Sequence, residues 1–302
     1  MSAAERRPVT LPRLAEMKAA GEPIVMVTAY DYPSARVAEE AGVDLVLVGD
    51  TAAMVVLGYP GTEPVSMEEM IMLGKAVRRG TETALMVGDM PMGSYEASNE
   101  LAVQSAQRLV KETGCQVVKL EAGGTSVERA RAIVRAGIPV MGHVGLTPQT
   151  ATALGGYKTQ GKTAQGAIQL FEDALALQSV GCFAVVFEAV PAAIAEELAA
   201  RLEIPAIGIG AGPATAGQVL VYHDLLGITT GRVPKFVKRY AEIHAAMVDG
   251  VGSYVEEVRS HSFPAADHVY GIEPAELAEF RHYLDQKDGI GSKQSWDWEP
   301  LP

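Results

Sequence analysis

Six titratable side chains stand at or near the C-terminal ends of short apolar runs. Asp50 follows LVLVG, Asp89 follows ALMVG, Lys119 and Glu121 close VVKLE, His143 follows PVMG, and Glu188 follows AVVF. A carboxylate in such a setting does not stay ionised cheaply without a partner. Asp50 and Asp89 are therefore the candidate ligands of a hard divalent cation such as Mg2+, which takes one or two carboxylates and leaves positions for substrate oxygens; the alternative is that each caps its following loop. Glu121 would bind the same ion directly or through water. Lys119 and Glu121 lie two residues apart, so on a strand they face one side, and the lysine is either a structural ion pair or an anion receptor. His143 is either a core histidine or a donor to a substrate carboxylate or oxyanion. Glu188, flanked by apolar residues, would have a raised pKa if desolvated, as suits a general base removing a carbon-bound proton; otherwise it serves the helix that Pro191 begins. Together the set describes a cation that chelates a 2-oxo acid and a base that makes its enolate. A Schiff base through Lys119 is disfavoured, because the nearby acids keep the amine protonated.

The elements that must hold these groups are legible as eight Val- and Ile-rich runs: 24–30, 44–49, 84–88, 116–120, 139–144, 183–190, 205–209 and 218–222. Near-continuous apolar runs suit parallel strands covered on both faces. Helices are expected over 34–41, 98–112, 164–180 and 234–248. Capping boxes are expected at Ser66/Glu69 and Thr125/Glu128, Pro191 in a first helical turn, and helix stops at Gly42, Gly80, Gly114, Gly137 and Gly181. Eightfold strand–helix alternation predicts an α/β fold of the closed (β/α)8 TIM barrel type, whose reactive groups sit at the C-terminal ends of strands. An open doubly wound sheet is the alternative, and it lacks here the GxGxxG turn after the first strand. The GIGAG at 208–212 reads as a tight mouth turn or a close approach to a ligand, the GGYKTQGKT at 155–163 as a lid or a surface connection, and the short gap between strands seven and eight as irregular. Residues 1–265 read as the barrel domain and 266–302 as a C-terminal helical extension and tail.

A net charge of −12 argues against nucleic acid as a partner, because phosphates require a positive surface. No run approaches the ~18 apolar residues of a membrane helix, and the N-terminus lacks a signal-peptide core. Cys115 and Cys182 lie in separate apolar runs, which speaks against a disulfide framework or a CxxC site. A cytoplasmic enzyme without membrane or nucleic-acid partners is expected.

In order along the chain, TAYDYPSA, VGDT, GDMP, VKLE, GHVGLTPQ, GGYKTQG, FEAVP, IPAIGIGAG and PKFVKRY resemble the ketopantoate hydroxymethyltransferase family over about residues 8–265. The resemblance implies a barrel of the phosphoenolpyruvate/pyruvate superfamily. It also implies transfer of a hydroxymethyl group from 5,10-methylenetetrahydrofolate to 3-methyl-2-oxobutanoate, giving 2-dehydropantoate for pantothenate synthesis through a Mg2+-stabilised enolate. Carried onto this sequence, it makes Asp50 and Asp89 metal ligands with Glu121 as a third ligand or holder of metal-bound water. It has Asp50, Thr51, Asp89 and Lys119 meeting the 2-oxo acid, Glu188 accepting the proton and His143 as a nearby polar contact. It further implies a cytoplasmic homodecamer. Thr51 stands where the family motif usually has Ser, and the tail with Trp296 and Trp298 runs past the usual family ending. The rivals are a metal-dependent 2-oxo acid lyase of the same superfamily, whose catalytic-cysteine pattern has Met141 before Gly142-His143 here, and a non-catalytic barrel scaffold.

Overall fold

A computed structural model describes residues 6–121, 125–231 and 233–287; Trp296 and Trp298 lie outside them. The elements run α1 (Leu11–Ala20), β1 (Ile24–Thr28), α2 (Tyr32–Ala41), β2 (Leu45–Val48), α3 (Ala52–Val55), α4 (Met67–Gly80), β3 (Leu85–Asp89), α5 (Asn99–Thr113), β4 (Val117–Glu121), α6 (Ser126–Arg135), β5 (Val140–Gly145), α7 (Ala164–Ser179), β6 (Ala184–Glu188), α8 (Ala192–Ala199), β7 (Ala206–Ile209), β8 (Gly217–Leu220), α9 (Tyr222–Leu225), α10 (Ile243–Arg259) and α11 (Pro274–Lys287). The strands form one closed parallel barrel in sequence order, with β8 returning to β1. Each of the eight apolar runs matches one strand to within a residue or two at most ends, with Asp89, Glu121, Gly145 and Gly217 lying one residue outside the expected runs.

Because side chains alternate along a strand, two separate cores result. One alternate set, including Met26, Leu45, Leu47, Val87, Val117, Met141, Val186 and Ile207, fills the barrel interior, and Leu14 and Met17 of α1 join it beside Ile24, the first residue of β1. The other set, including Val46, Met86, Val118, Val140, Val185 and Phe187, packs outward against the helices. The chain divides into two compact units, Met1–His244, which holds the barrel, and Ala245–Pro302, whose described part comprises most of α10 and all of α11.

Local chemistry explains most boundaries. Ser66 and Glu69 form the expected capping box of α4, and Asp31 with Ser34 forms a second one at α2. Gly42 and Gly114 end α2 and α5 in the left-handed region, at φ 87° and 78°. Gly80, where a stop was expected, is indeed the last residue of α4, and it also packs closely: a Cβ there would lie 2.7 Å from Ala35 Cβ and 2.8 Å from the Tyr32 carbonyl. Three expectations are corrected. Thr125 makes no side-chain cap on α6; its hydroxyl points instead to the Glu96 carbonyl at 3.5 Å. Pro191 is the N-cap of α8 rather than part of its first turn. Finally, α10 starts at Ile243, not 234, because Tyr240, Ile243 and His244 give their backbone N–H groups to the carbonyls of Leu225, Leu226 and Gly227 rather than to a helix of their own.

Candidate active site

The interior alternation that is apolar through most of the barrel turns polar at its C-terminal end. Asp89, Lys119, Glu121, His143 and Glu188 continue the inward-facing positions of Val87, Val117, Met141 and Val186, and Asp50 lies two residues past β2. Strand register places Asp89 opposite Lys119, Glu121 opposite His143 and Gly145 opposite Glu188. All of the sequence-predicted site residues therefore gather at one mouth. The Asp50 N–H donates to Asp89 Oδ2 at 3.2 Å, and Lys119 Nζ lies 2.9 Å from Asp89 Oδ1 and 3.5 Å from His143 Nδ1. His143 Nδ1 lies 3.7 Å from Glu121 Oε1, and its Nε2 3.3 Å from Glu188 Oε2. Thr51 shares a 2.6 Å hydrogen bond with the Tyr30 hydroxyl.

Burial sets the electrostatics. Asp50, Asp89, Lys119, Glu121 and His143 all expose 4% or less of their surface. Desolvation, and then the charge of Asp89, pushes the Asp50 carboxyl up to about 7. Desolvation raises Asp89 as well, and desolvation together with the charge of Asp50 raises Glu121 well above the usual carboxylate range. Burial opposes the charge of Lys119, but Asp89, Asp50 and Glu121 outweigh it and hold the ammonium above its ordinary pKa. Burial and then the positive charge of Lys119 hold His143 below the usual imidazole value. Glu188 is not fully desolvated as its apolar flanks suggested, for 17% of its side chain remains exposed where it lines a cleft.

The backbone around Glu188 is tightly held. Its carbonyl accepts from the Leu146 N–H at 2.8 Å, and a Cβ on Gly145, at φ 101°, would collide with that same carbonyl. Ala189 sits at φ 49°, a left-handed conformation costing a non-glycine residue about 1 kcal/mol, and is fixed by an N–H bond to Ile209 and by accepting from Gln160. Gln160 belongs to the glycine-punctuated segment 155–163, whose Tyr157, Lys158 and Thr159 line a cleft of about 950 Å³ together with Thr51 and Glu188. The GIGAG glycines admit protein rather than leaving open space. A Cβ on Gly210 would strike the Phe236 ring, and one on Gly212 would lie 2.5 Å from Ala192 Cβ.

Among the described residues, no three His, Cys, Asp or Glu side chains form a preassembled metal-ligand set. The donors nevertheless fit a hard cation. Three buried carboxylates face one lysine, a negative imbalance that a divalent ion would offset, and Glu121 Oε1 is buried without a hydrogen-bond partner.

The family model described as ketopantoate hydroxymethyltransferase matches residues 8–266. The chain belongs to the ketopantoate hydroxymethyltransferase family. It is 52% identical over 265 residues to the 3-methyl-2-oxobutanoate hydroxymethyltransferase of Heliobacterium modesticaldum, covering 88% of this chain and 96% of that one. With the enzyme of the same description from Moorella thermoacetica it shares 53% over 267 residues, covering 88% and 99%. The family barrel is also the fold of more distant proteins. A phosphonopyruvate hydrolase in complex with oxalate and Mg2+ matches with a TM-score of 0.56 at 12% identity, covering 97% of this chain and 100% of that one. A 2,3-dimethylmalate lyase of the PEP mutase/isocitrate lyase superfamily matches with 0.56 at 15%, covering 96% and 99%.

Strand-end reasoning missed residues that reach the mouth from elsewhere. Gln149 sits on a short 3-10 turn, Pro148–Thr150, and Tyr95 on the loop after β3, yet both are buried beside the acids. The run GHVGLTPQ contained the signal for Gln149, an amide side chain six residues past His143.

Proposed function

We infer that this enzyme transfers a hydroxymethyl group from 5,10-methylenetetrahydrofolate to 3-methyl-2-oxobutanoate, giving 2-dehydropantoate. The observation that carries this reading is the family match over 8–266, within which the acids, lysine and imidazole meet at one barrel mouth. Asp50 and Asp89 would hold Mg2+, with Glu121 beside them as a further ligand or as holder of a water. When bound, the cation would act as a Lewis acid on the 2-oxo acid and steady the negative charge of its enolate.

The remaining work falls to side chains. Lys119, kept protonated by its acidic neighbours, serves as a positive partner for the substrate carboxylate and not as an imine-forming nucleophile. Thr51, with its hydroxyl bonded to Tyr30, adds a polar contact at the same edge. Glu188 removes the C3 proton, with the His143 ring lying 3.3 Å from its carboxylate. The C3 carbanion equivalent then bonds to the one-carbon unit of the folate. Water supplies the hydroxyl oxygen and tetrahydrofolate departs, which balances the reaction. The cleft beyond Thr51 and Glu188, about 950 Å³, is the room for the pterin.

Residues 1–265 would be the catalytic domain and 266–302 its extension. No helix among the described residues is long and apolar enough to cross a membrane, and a cytoplasmic homodecamer is the working assembly. The deciding experiment incubates the protein with 3-methyl-2-oxobutanoate in D2O, with and without Mg2+ and with and without the folate. Metal-dependent exchange at C3 without folate, and 2-dehydropantoate only with it, are expected. Cleavage of the 2-oxo acid would indicate a lyase, and no reaction a silent scaffold. Glu188→Gln should lose the exchange while still binding the metal; exchange retained in that variant removes Glu188 as the base.

A further inference from the structure

The geometry points to Gln149 as a positioning residue that aims the carboxylates of Asp50 and Glu121 at the cation, an inference that rests on the metal site of the proposed function. Gln149 exposes only 3% of its surface and touches both acids. Its side-chain Nε2 donates to Asp50 Oδ2 at 2.9 Å and to the carbonyl of Met90, the residue after Asp89, at 3.0 Å. Its backbone N–H donates to Glu121 Oε2 at 3.0 Å. One residue following β5 thus ties together the ends of β2, β3 and β4.

The orientation of the amide is over-determined. The Tyr95 hydroxyl, itself buried, donates to Gln149 Oε1 at 2.6 Å. Flipping the amide would set its oxygen against a carboxylate and a carbonyl, exchanging two attractions for two repulsions. With the amide locked, one oxygen of each acid is engaged by Gln149. The other Glu121 oxygen, Oε1, is left without a hydrogen-bond partner. Groups that hold metal-ligating carboxylates in this way tune affinity without touching the ion, and their loss commonly costs about 10- to 100-fold in metal binding.

The test uses the full-length protein with Mn2+ as the probe, titrated by electron paramagnetic resonance of the free ion and by calorimetry. Gln149→Met keeps the shape and the backbone N–H but removes the amide; its Mn2+ Kd should rise about 10- to 100-fold. Turnover should recover toward the wild-type kcat at saturating cation, because Gln149 is not placed against substrate. Tyr95→Phe, which frees only the amide oxygen, should weaken Mn2+ binding less than Gln149→Met does. A folded Gln149→Met protein with unchanged Kd overturns the assignment, since a merely structural role would lower the melting temperature alone. Should that variant fail to fold, an unchanged Kd in Tyr95→Phe overturns it instead. Absence of Mn2+ binding in the wild type defeats the metal site itself; binding that is equal in wild type and variants defeats only the role of Gln149.

Discussion

At the residue scale the mouth of the barrel is a problem of uncompensated charge. Asp50, Asp89 and Glu121 are buried together and share one ammonium, so in the metal-free fold burial disfavours their ionised forms. The folded Asp50 carboxyl titrates near 7 against an ordinary value of 3.8, so the native state binds its proton more tightly than the unfolded chain does. Its contribution to stability therefore declines as pH rises from about 4 to 7. Asp50→Asn keeps the acceptor for Gln149 and removes the charge. In EDTA at pH 8 it should melt a few degrees above the wild type and lose the further rise that Mg2+ gives the wild type; scanning calorimetry with and without the ion checks this. Lys119→Ala should do the reverse, lowering metal-free stability by about 3 kcal/mol, because the buried acids then lose the ammonium that lies 2.9 Å from Asp89. A metal-free Asp50→Asn protein less stable than wild type would show Asp50 to be a structural cap.

At the element scale the two ends of the barrel use buried carboxylates in opposite ways. At the N-terminal side, Glu39 of α2 is fully buried but accepts from the backbone N–H groups of Glu82, Thr83 and Ala84, at 3.1, 2.9 and 3.2 Å, from the Thr83 hydroxyl, and from Arg6. Burial works against its charge, yet these bonds prevail and hold the carboxyl below its ordinary 4.5. Its stabilisation is present above about pH 4.5 and is lost as pH falls through the lower folded value. Glu39→Gln should cost about 2–4 kcal/mol at pH 7 by urea denaturation, a difference that shrinks in acid. At the other end, Gly145→Ala would push against the Glu188 carbonyl. It should lower C3 proton exchange by at least about tenfold while Mn2+ binding holds, since only the element carrying the proposed base moves.

At the scale of the whole molecule, the 245–302 unit is informative. Its helices expose Val251, Tyr254, Phe280 and Leu284, at 64%, 56%, 54% and 42%, more apolar surface than a solvated helix needs. Association of identical chains would cover it, and sedimentation equilibrium should give ten times the 31.9 kDa chain mass. A monomer at micromolar concentration would exclude the decameric assembly.

The barrel and most of the groups at its mouth are legible in the order of residues alone. Strands buried on both faces must be Val- and Ile-rich, and a polar residue that ends such a run has only the barrel mouth to occupy, so Asp89, Glu121 and Glu188 were readable from position alone. Tertiary structure decided what depends on distance between segments far apart in the chain. Gln149 meets Asp50 across 99 positions and Tyr95 across 54, and Arg6 meets Glu39 across 33. The helix expected from 234 yields to backbone bonds with the end of α9 and the two residues after it, and Thr125 gives up its cap to reach Glu96. Periodicity reports which face of an element is buried; which partner fills that face is fixed only when the closed sheet brings the ends of all its strands together.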